Sequence, residues 1–332
     1  MRYRQFGRTG WQVSEIGYGM WGMGSWSDSD DQQSLESLQA AVDLGCNFFD
    51  TAHAYGEGHS EGLLGQIVRA RSDKKLYTAT KIPPKSRQWP ASSTSTLQEN
   101  YPLDYVEEFV HRSLESARLE SFDLMQFHTW DDGWLRDDRW LYKFDDLRSQ
   151  GLINAIGISL NRWEPWNGIL AVKTGQIDSV QVIYNIFDQN PEDELFPVCE
   201  QTKTAVIARV PFDEGTLTGT LTKESNWPEG DWRNTYFVPE NLIPSVERAE
   251  SLKLLLRDWN REHSGEPEIT LPELALRFIL SHPAVSTIIP GMRKLSHVKA
   301  NIASSDAGPL PAELLKQLKE HRWERKPAPW SQ

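Results

Sequence analysis

Short apolar runs alternate with helical stripes along most of the chain. The runs are Ile16–Trp21, Asn47–Thr51, Leu76–Ile82, Phe122–His128, Ile153–Ser159, Ser179–Asn185, Ala205–Val210 and Val285–Ile289. Near-continuous apolar runs of this length suit strands covered on both faces by helices. Between them, Leu35, Leu38 and Val42 share one helical face, and Gly45 stands where a left-handed residue would end that helix. Leu63, Leu64, Ile67 and Val68 form a second stripe, and Val106, Phe109, Val110 and Leu114 a third. Similar periods cover 138–150, 191–203, 270–281 and 294–304, with a weaker one at 164–174. Strands alternating with helices make parallel crossovers, and a count of eight predicts an α/β fold closed as a (β/α)8 TIM barrel rather than an open doubly wound sheet.

Ahead of the first unit, Arg2–Phe6, the turn Gly7–Gly10 and Trp11–Glu15 predict an N-terminal β-hairpin. Helical patterns at 244–262 and 311–321 fall outside the eight units and read as two extra helices. No Pro-, Gly- or Ser-rich linker interrupts the chain, so 1–332 reads as a single barrel domain. The 212–243 stretch is too long for an ordinary loop, and Trp227, Trp232, Tyr236 and Phe237 argue that it is ordered over the active face.

Composition narrows the partners. The 332 residues include 35 basic and 47 acidic ones, a formal net charge of −12, which repels phosphate backbones and anionic membranes. No apolar stretch approaches the ~18 residues of a membrane span, and the N-terminus lacks a signal peptide's apolar core. Cys46 and Cys199 belong to no disulfide or metal-binding grouping and read as buried thiols, so the cytoplasm is the expected compartment and no metal is expected. Nucleic acid and membrane are both excluded as partners, and oligomeric state is left open.

Gly17, Gly19 and Gly22 match the dinucleotide spacing G-x-G-x-x-G, but a polar loop follows instead of a helix, and Asp43, at the distance of the expected acid, lies inside a helical stripe. The chemistry sits elsewhere. Asp50 ends Asn47-Phe-Phe-Asp, Lys81 ends Leu76-Tyr-Thr-Ala-Thr-Lys and His128 ends Phe122-Asp-Leu-Met-Gln-Phe-His, on three successive runs, and Tyr55 follows Asp50 by one short turn. Barrel strands all point their C-terminal ends to one face, which holds the active site. Singly, each residue has a plainer reading: a turn cap, an ordinary strand end, a loop aromatic, a satisfied histidine. Jointly they form a chemical unit. A lysine ammonium lowers the pKa of a neighbouring tyrosine, an aspartate fixes the lysine, and a histidine holds a substrate oxygen or relays a proton. That suits proton delivery to an oxygen becoming an alkoxide.

These residues resemble the aldo-keto reductases, and the resemblance extends over nearly the full length. It rests on Tyr3–Gly10 with Val13-Ser14, on Phe49-Asp-Thr-Ala-His-Ala-Tyr-Gly56 and on Ile289-Pro-Gly-Met-Arg293. It implies a barrel closed at its bottom by the hairpin, a tetrad of Asp50, Tyr55, Lys81 and His128 with Tyr55 as general acid/base, and a nicotinamide cofactor held without a Rossmann fold. Carried over by position, Trp21, Ser159, Gln181, Arg209, Pro211, Gly215, Leu217, Gly291, Arg293, His297 and Asn301 would contact that cofactor. Ser159 is equally a turn former and Gln181 equally a core polar residue.

Three departures stand out. Leu160 takes the place of the asparagine that often follows the serine, with Asn161 one position later. Arg209 stands where an aromatic often stacks on the nicotinamide, which favours the reduced cofactor. Gly291-Met292 replaces a Lys-Ser pair that binds the 2′-phosphate, and His297 occupies a position that is often arginine. Arg293 is retained, so the reading leans to NADP, with NAD not excluded.

Of 14 tryptophans, nine follow strands: Trp21, Trp26, Trp89, Trp130, Trp134, Trp163, Trp166, Trp227 and Trp232. Trp21, Trp130 and Trp232 are the expected substrate contacts, in a pocket suited to a bulky or carbohydrate-like carbonyl. The expected activity is NAD(P)H-dependent reduction of an aldehyde or ketone, or oxidation of the alcohol. The competing reading is a cofactor-binding regulatory subunit with little turnover, as in the potassium-channel β subunits that resemble the same family.

Overall fold

The computed structural model describes residues 1–24 and 29–325. Strands β1 (Tyr3–Gln5) and β2 (Gln12–Ser14) form the predicted antiparallel hairpin. Eight parallel strands follow in sequence order: β3 (Tyr18–Gly19), β4 (Phe48–Asp50), β5 (Tyr77–Ile82), β6 (Phe122–Phe127), β7 (Ile153–Ser159), β8 (Ser179–Ile183), β9 (Ala205–Arg209) and β10 (Val285–Ile288). Each pairs with its neighbour, and parallel bridges from Ile16 to Ile288 and from Gly19 to Gly291 join the first strand to the last. The result is the expected (β/α)8 barrel.

The first strand is shorter than its apolar run, because its glycines serve the closing seam. A Cβ at Gly19 would lie 2.4 Å from the Ile289 carbonyl oxygen, so only glycine lets these strands meet. The glycine spacing that mimics a dinucleotide fingerprint thus closes the barrel, and it runs into a 3-10 turn, Trp21–Met23.

The barrel interior changes character along its axis. Phe48, Ala79, Leu124, Ala155, Ala205 and Ile207 fill the lower part, together with Phe6 and Val13 from the hairpin. Phe6 stacks on Phe48 and Trp11 at 5.3 and 5.4 Å, which plugs the bottom. Buried Glu15 pairs with Arg2 and Arg4 at 3.0 and 2.7 Å, and Arg4 also donates to the carbonyls of His282 and Val285. Strand side chains alternate between faces. Two positions above Phe48, Ala79, Leu124 and Ile207 the interior therefore carries Asp50, Lys81, Gln126 and Arg209, and above Ala155 it carries Gly157.

Outside, the stripes lie on helices such as Asp31–Asp43, His59–Ala70 and Leu103–Ala117, whose apolar residues are buried against the sheet. The weak pattern at 164–174 contracts to Ile169–Lys173, since Pro165 and Gly168 delay the helix. The extra helices are Pro239–Glu262 and Ala312–Lys319. The first begins earlier than its pattern because Pro239 is suited to the first helical turn. Within 212–243, Tyr236 and Phe237 form a small core with Leu242 and Val246, against which Trp227 and Trp232 pack. The four aromatics therefore order the segment.

Cys46 and Cys199 are buried, and burial pushes both thiols up to about 12. Among the described residues, no helix is long and apolar enough to cross a membrane.

Candidate active site

The polar upper layer of the barrel is a hydrogen-bonded cluster. Lys81, fully buried on β5, pairs through Nζ with Asp50 Oδ1 and donates to the Thr51 carbonyl at 2.8 Å. Asp50 Oδ2 accepts from Gln181 Nε2 at 2.8 Å and from Gln126 Nε2 at 3.1 Å. A buried carboxylate and ammonium are tolerable only when paired and further hydrogen-bonded, and both conditions hold here. Gly157 makes room for the cluster, since a Cβ there would lie 2.8 Å from Gln126 Cγ.

Tyr55 and His128 sit above this cluster. The Tyr55 hydroxyl lies 3.5 Å from Lys81 Nζ, positioned by the turn after β4. The His128 ring, directly after β6, meets the Tyr55 ring edge-on at 5.7 Å and the Trp89 ring at 4.4 Å. Its Nδ1 is buried and makes no hydrogen bond within the protein. The four residues that were distant in sequence thus converge at one end of the barrel.

Electrostatics differ from the expectation in one respect. Lys81 does draw the Tyr55 pKa down, and Arg209 adds to the effect, but burial is the larger influence and leaves the phenol raised above its ordinary value. The site keeps Tyr55 as a protonated hydroxyl. His128 is held well below the usual imidazole value, first by burial and then by the charges of Lys81 and Arg209. It is therefore neutral when folded and protonates once the chain unfolds below about pH 6.5. Its contribution to stability is present above that pH and lost as pH falls. Folding free energy should drop by about 1.4 kcal/mol per pH unit for each such histidine. Urea unfolding from about pH 7 to pH 5 should show a shallower pH slope in His128→Gln than in the wild type.

A cavity of about 450 Å³ opens above the cluster, walled by Trp21, Trp89, Trp130, Trp163, Arg162 and Glu214, with Tyr55, His128, Ser159, Gln181 and Arg209 deeper in. Trp130 presents only part of itself: it is buried among Phe127, Trp134 and Trp140, and its Nε1 donates to Asp132 at 2.8 Å. Trp232 stands behind Trp21, with which it makes an edge contact at 5.5 Å, and is not among the residues that wall the cavity. Trp26 lies outside the described residues.

The positions expected to hold a cofactor extend from this cavity. Ser159 ends β7, Gln181 lies within β8 and Arg209 ends β9. Gln181 donates its amide to Asp50, and Asn161 turns its own to cap the backbone of Trp163 and Glu164. Pro211, Gly215 and Leu217 follow β9, where Leu217 is fully buried and its backbone N–H donates to the Phe212 carbonyl at 2.9 Å. Gly291 adjoins the barrel seam, Arg293 packs near Gly22, and His297 and Asn301 lie on the helix Leu295–Ala307. Three buried polar atoms along this path lack a hydrogen bond within the protein: Arg209 Nε, Thr216 Oγ1 and Asn301 Nδ2. Buried donors are rarely left unmatched, so these suit an extended polar ligand. Among the described residues, no group of three or more His, Cys, Asp or Glu could hold a metal ion.

Sequence reasoning missed Gln126, Arg162 and Glu214. Gln126 was findable as a polar residue on the inward face of an apolar strand; the other two had no local signal.

Fold and site together are those of a barrel oxidoreductase. The chain belongs to the aldo/keto reductase family, whose sequence profile matches residues 15–322. It is 28% identical to an uncharacterized oxidoreductase, YqkF, of Bacillus subtilis, over 97% of this chain and 96% of that one. It is 26% identical to an NADH-specific methylglyoxal reductase of Escherichia coli, over 96% and 99%. Among solved structures, the holo form of aldo-keto reductase AKR11C1 from Bacillus halodurans superposes with a TM-score of 0.74 at 26% identity, covering 100% of both chains.

Proposed function

We propose that this enzyme uses NAD(P)H to reduce an aldehyde or ketone to the alcohol, or catalyses the reverse, with Tyr55 as general acid/base. The observation that carries the reading is the Tyr55 hydroxyl, 3.5 Å from a fully buried lysine that Asp50 pins in place, at the floor of an aromatic cavity. When bound, the nicotinamide supplies a hydride to the carbonyl carbon. The chain's own residues handle the proton. Tyr55 gives its hydroxyl proton to the oxygen as that oxygen becomes an alkoxide. Lys81 stabilises the phenolate left behind, and Asp50, Gln126 and Gln181 hold Lys81 at the point where that charge develops. Neutral His128, wedged between Tyr55 and Trp89, orients the carbonyl oxygen.

Ser159, Gln181 and Arg209 would hold the nicotinamide end, Pro211, Gly215 and Leu217 the middle, and Gly291, Arg293, His297 and Asn301 the adenosine end. Arg293 precedes a helix N-terminus and stands beside Lys294, an arrangement that favours a phosphate and hence NADP. A charge-assisted contact is worth about 1.5–3 kcal/mol. Arg293→Ala should therefore raise KM for NADPH by about 10- to 100-fold while leaving KM for NADH nearly unchanged, as read by steady-state kinetics. The aromatic walls at Trp21, Trp89 and Trp163 suit a bulky or carbohydrate-like substrate. Two buried free thiols suit a reducing, cytoplasmic setting.

The deciding experiment follows nicotinamide oxidation with NADPH and with NADH over a panel of aldehydes, ketones and sugars. Turnover supports the reading. Tight binding without turnover on any substrate would favour a regulatory subunit, and no binding of either nucleotide would overturn both.

A further inference from the structure

The turn after β9 is strained, and what holds it comes from the far end of the chain. Val210, Asp213 and Glu214 adopt φ values of 55°, 46° and 56°, followed by Gly215 at 114°. Left-handed backbone is uncommon for any residue with a Cβ and anomalous for β-branched valine, so three such residues within one turn persist only where the surroundings over-determine them. This turn joins Arg209 to Glu214, both of which wall the reaction cavity.

The restraints form a buried ionic cluster. The Arg325 side chain is 3% exposed, and its Nη2 donates to Asp213 Oδ1 at 2.8 Å and to Asp188 Oδ2 at 2.6 Å. Asp188, in the loop after β8, also accepts from Asn185 Nδ2 at 3.0 Å, and the same Asn185 nitrogen donates to the Val210 carbonyl at 3.1 Å. Both ends of the strained turn are thereby tied to one asparagine–aspartate–arginine chain. Arg162, after β7, approaches Asp213 at 3.6 Å and Glu214 at 3.7 Å, and donates to the Tyr236 hydroxyl at 2.6 Å. The segment carrying Arg325 is docked in turn: Trp323 donates its backbone N–H to the Phe187 carbonyl at 2.9 Å, and the Arg248 guanidinium lies 4.5 Å from its ring centroid.

A buried ionic cluster is a poor source of net stability, since apolar packing in the same volume does as well or better. Its distinctive property is direction: it fixes which atoms face which. We propose that Arg325 is a positioning residue, a latch that holds the strained Val210–Gly215 turn in the conformation that brings Arg209 and Glu214 to the cavity. Arg325 acts through Asp213 and touches no reacting atom. With the latch released, the turn relaxes out of its left-handed conformation, and the wall of the cavity that it forms opens. The inference rests on the proposed function only in taking this cavity as the place of reaction.

Hydrogen exchange on the full chain tests the latch without any ligand. In Arg325→Ala, the amides of Gly215 and Leu217, both donors to the Phe212 carbonyl, should exchange about tenfold faster or more, with the barrel strands unchanged. Arg325→Lys should restore most of the protection, because a single nitrogen already bridges both carboxylates. Should Arg325→Ala not fold, Asp213→Ala removes the acceptor from the same link and should give the same local acceleration. Acceleration spread evenly over the barrel, or none, would overturn the proposal. A second readout is NADPH dissociation by stopped flow, expected to quicken about tenfold in Arg325→Ala and to recover in Arg325→Lys. If the wild type binds no NADPH, the functional reading fails while hydrogen exchange still decides the latch.

Discussion

Tyr55→Phe should lower carbonyl turnover by about 10²–10⁴-fold or more while nucleotide affinity stays within a few-fold of wild type. The substitution removes one oxygen and leaves the ring against His128, so the cavity keeps its shape. What disappears is the proton that the developing alkoxide requires. The kinetic signature is a loss in kcat and kcat/KM together with little change in nucleotide binding, because the interaction is made only as the reaction proceeds. Fluorescence titration with NADPH beside single-turnover kinetics reads both quantities. A variant that retained turnover would remove Tyr55 from the chemistry, and with it the mechanism.

Lys81→Met should cost both activity and stability. The side chain is 0% exposed and its partner Asp50 only 2%, so removing the ammonium leaves a carboxylate buried with two amide donors and no cation. Breaking a buried pair in this way typically costs about 3–5 kcal/mol. Turnover should fall at least as far as in Tyr55→Phe, since the phenolate loses its stabilising charge as well. The double variant Asp50→Asn/Lys81→Met separates the two losses. It removes the orphaned charge and should recover much of the unfolding free energy in urea, yet stay inactive. A double variant as unstable as Lys81→Met alone would mean that the lysine contributes by packing rather than by pairing.

The barrel was legible because its strands are covered on both faces, so each left a mostly apolar run such as Ile153–Ser159. Asp50, Lys81 and His128 were legible for the same reason, as ionisable residues closing those runs. Gln126 gives no signal at a run end, because it stands on the inward face within its strand. Alternation from Leu124 would have placed it inside, beside Asp50 and Lys81. The brevity of β3 was hidden because glycines count neither for nor against a strand until the partner across the seam is known. Arg162, Asp188, Asp213 and Arg325 left no trace, since ionic partners drawn from distant loops have no period and no spacing. The sign of the Tyr55 shift was misjudged for a related reason. A neighbouring lysine can be inferred from a motif, whereas the depth of burial that outweighs it belongs to the assembled barrel.

The plug of Phe6 on Phe48 makes the barrel a vessel with one door. On the proposed function two ligands must meet inside it, and since they cannot arrive from opposite ends they would queue. Whichever lies deeper enters first and leaves last, and the order of traffic is set by which one reaches the floor beside Lys81. Sequence of binding would then be a matter of architecture rather than of relative affinity. Changes to the loops around the mouth can alter how fast the queue moves without reversing it.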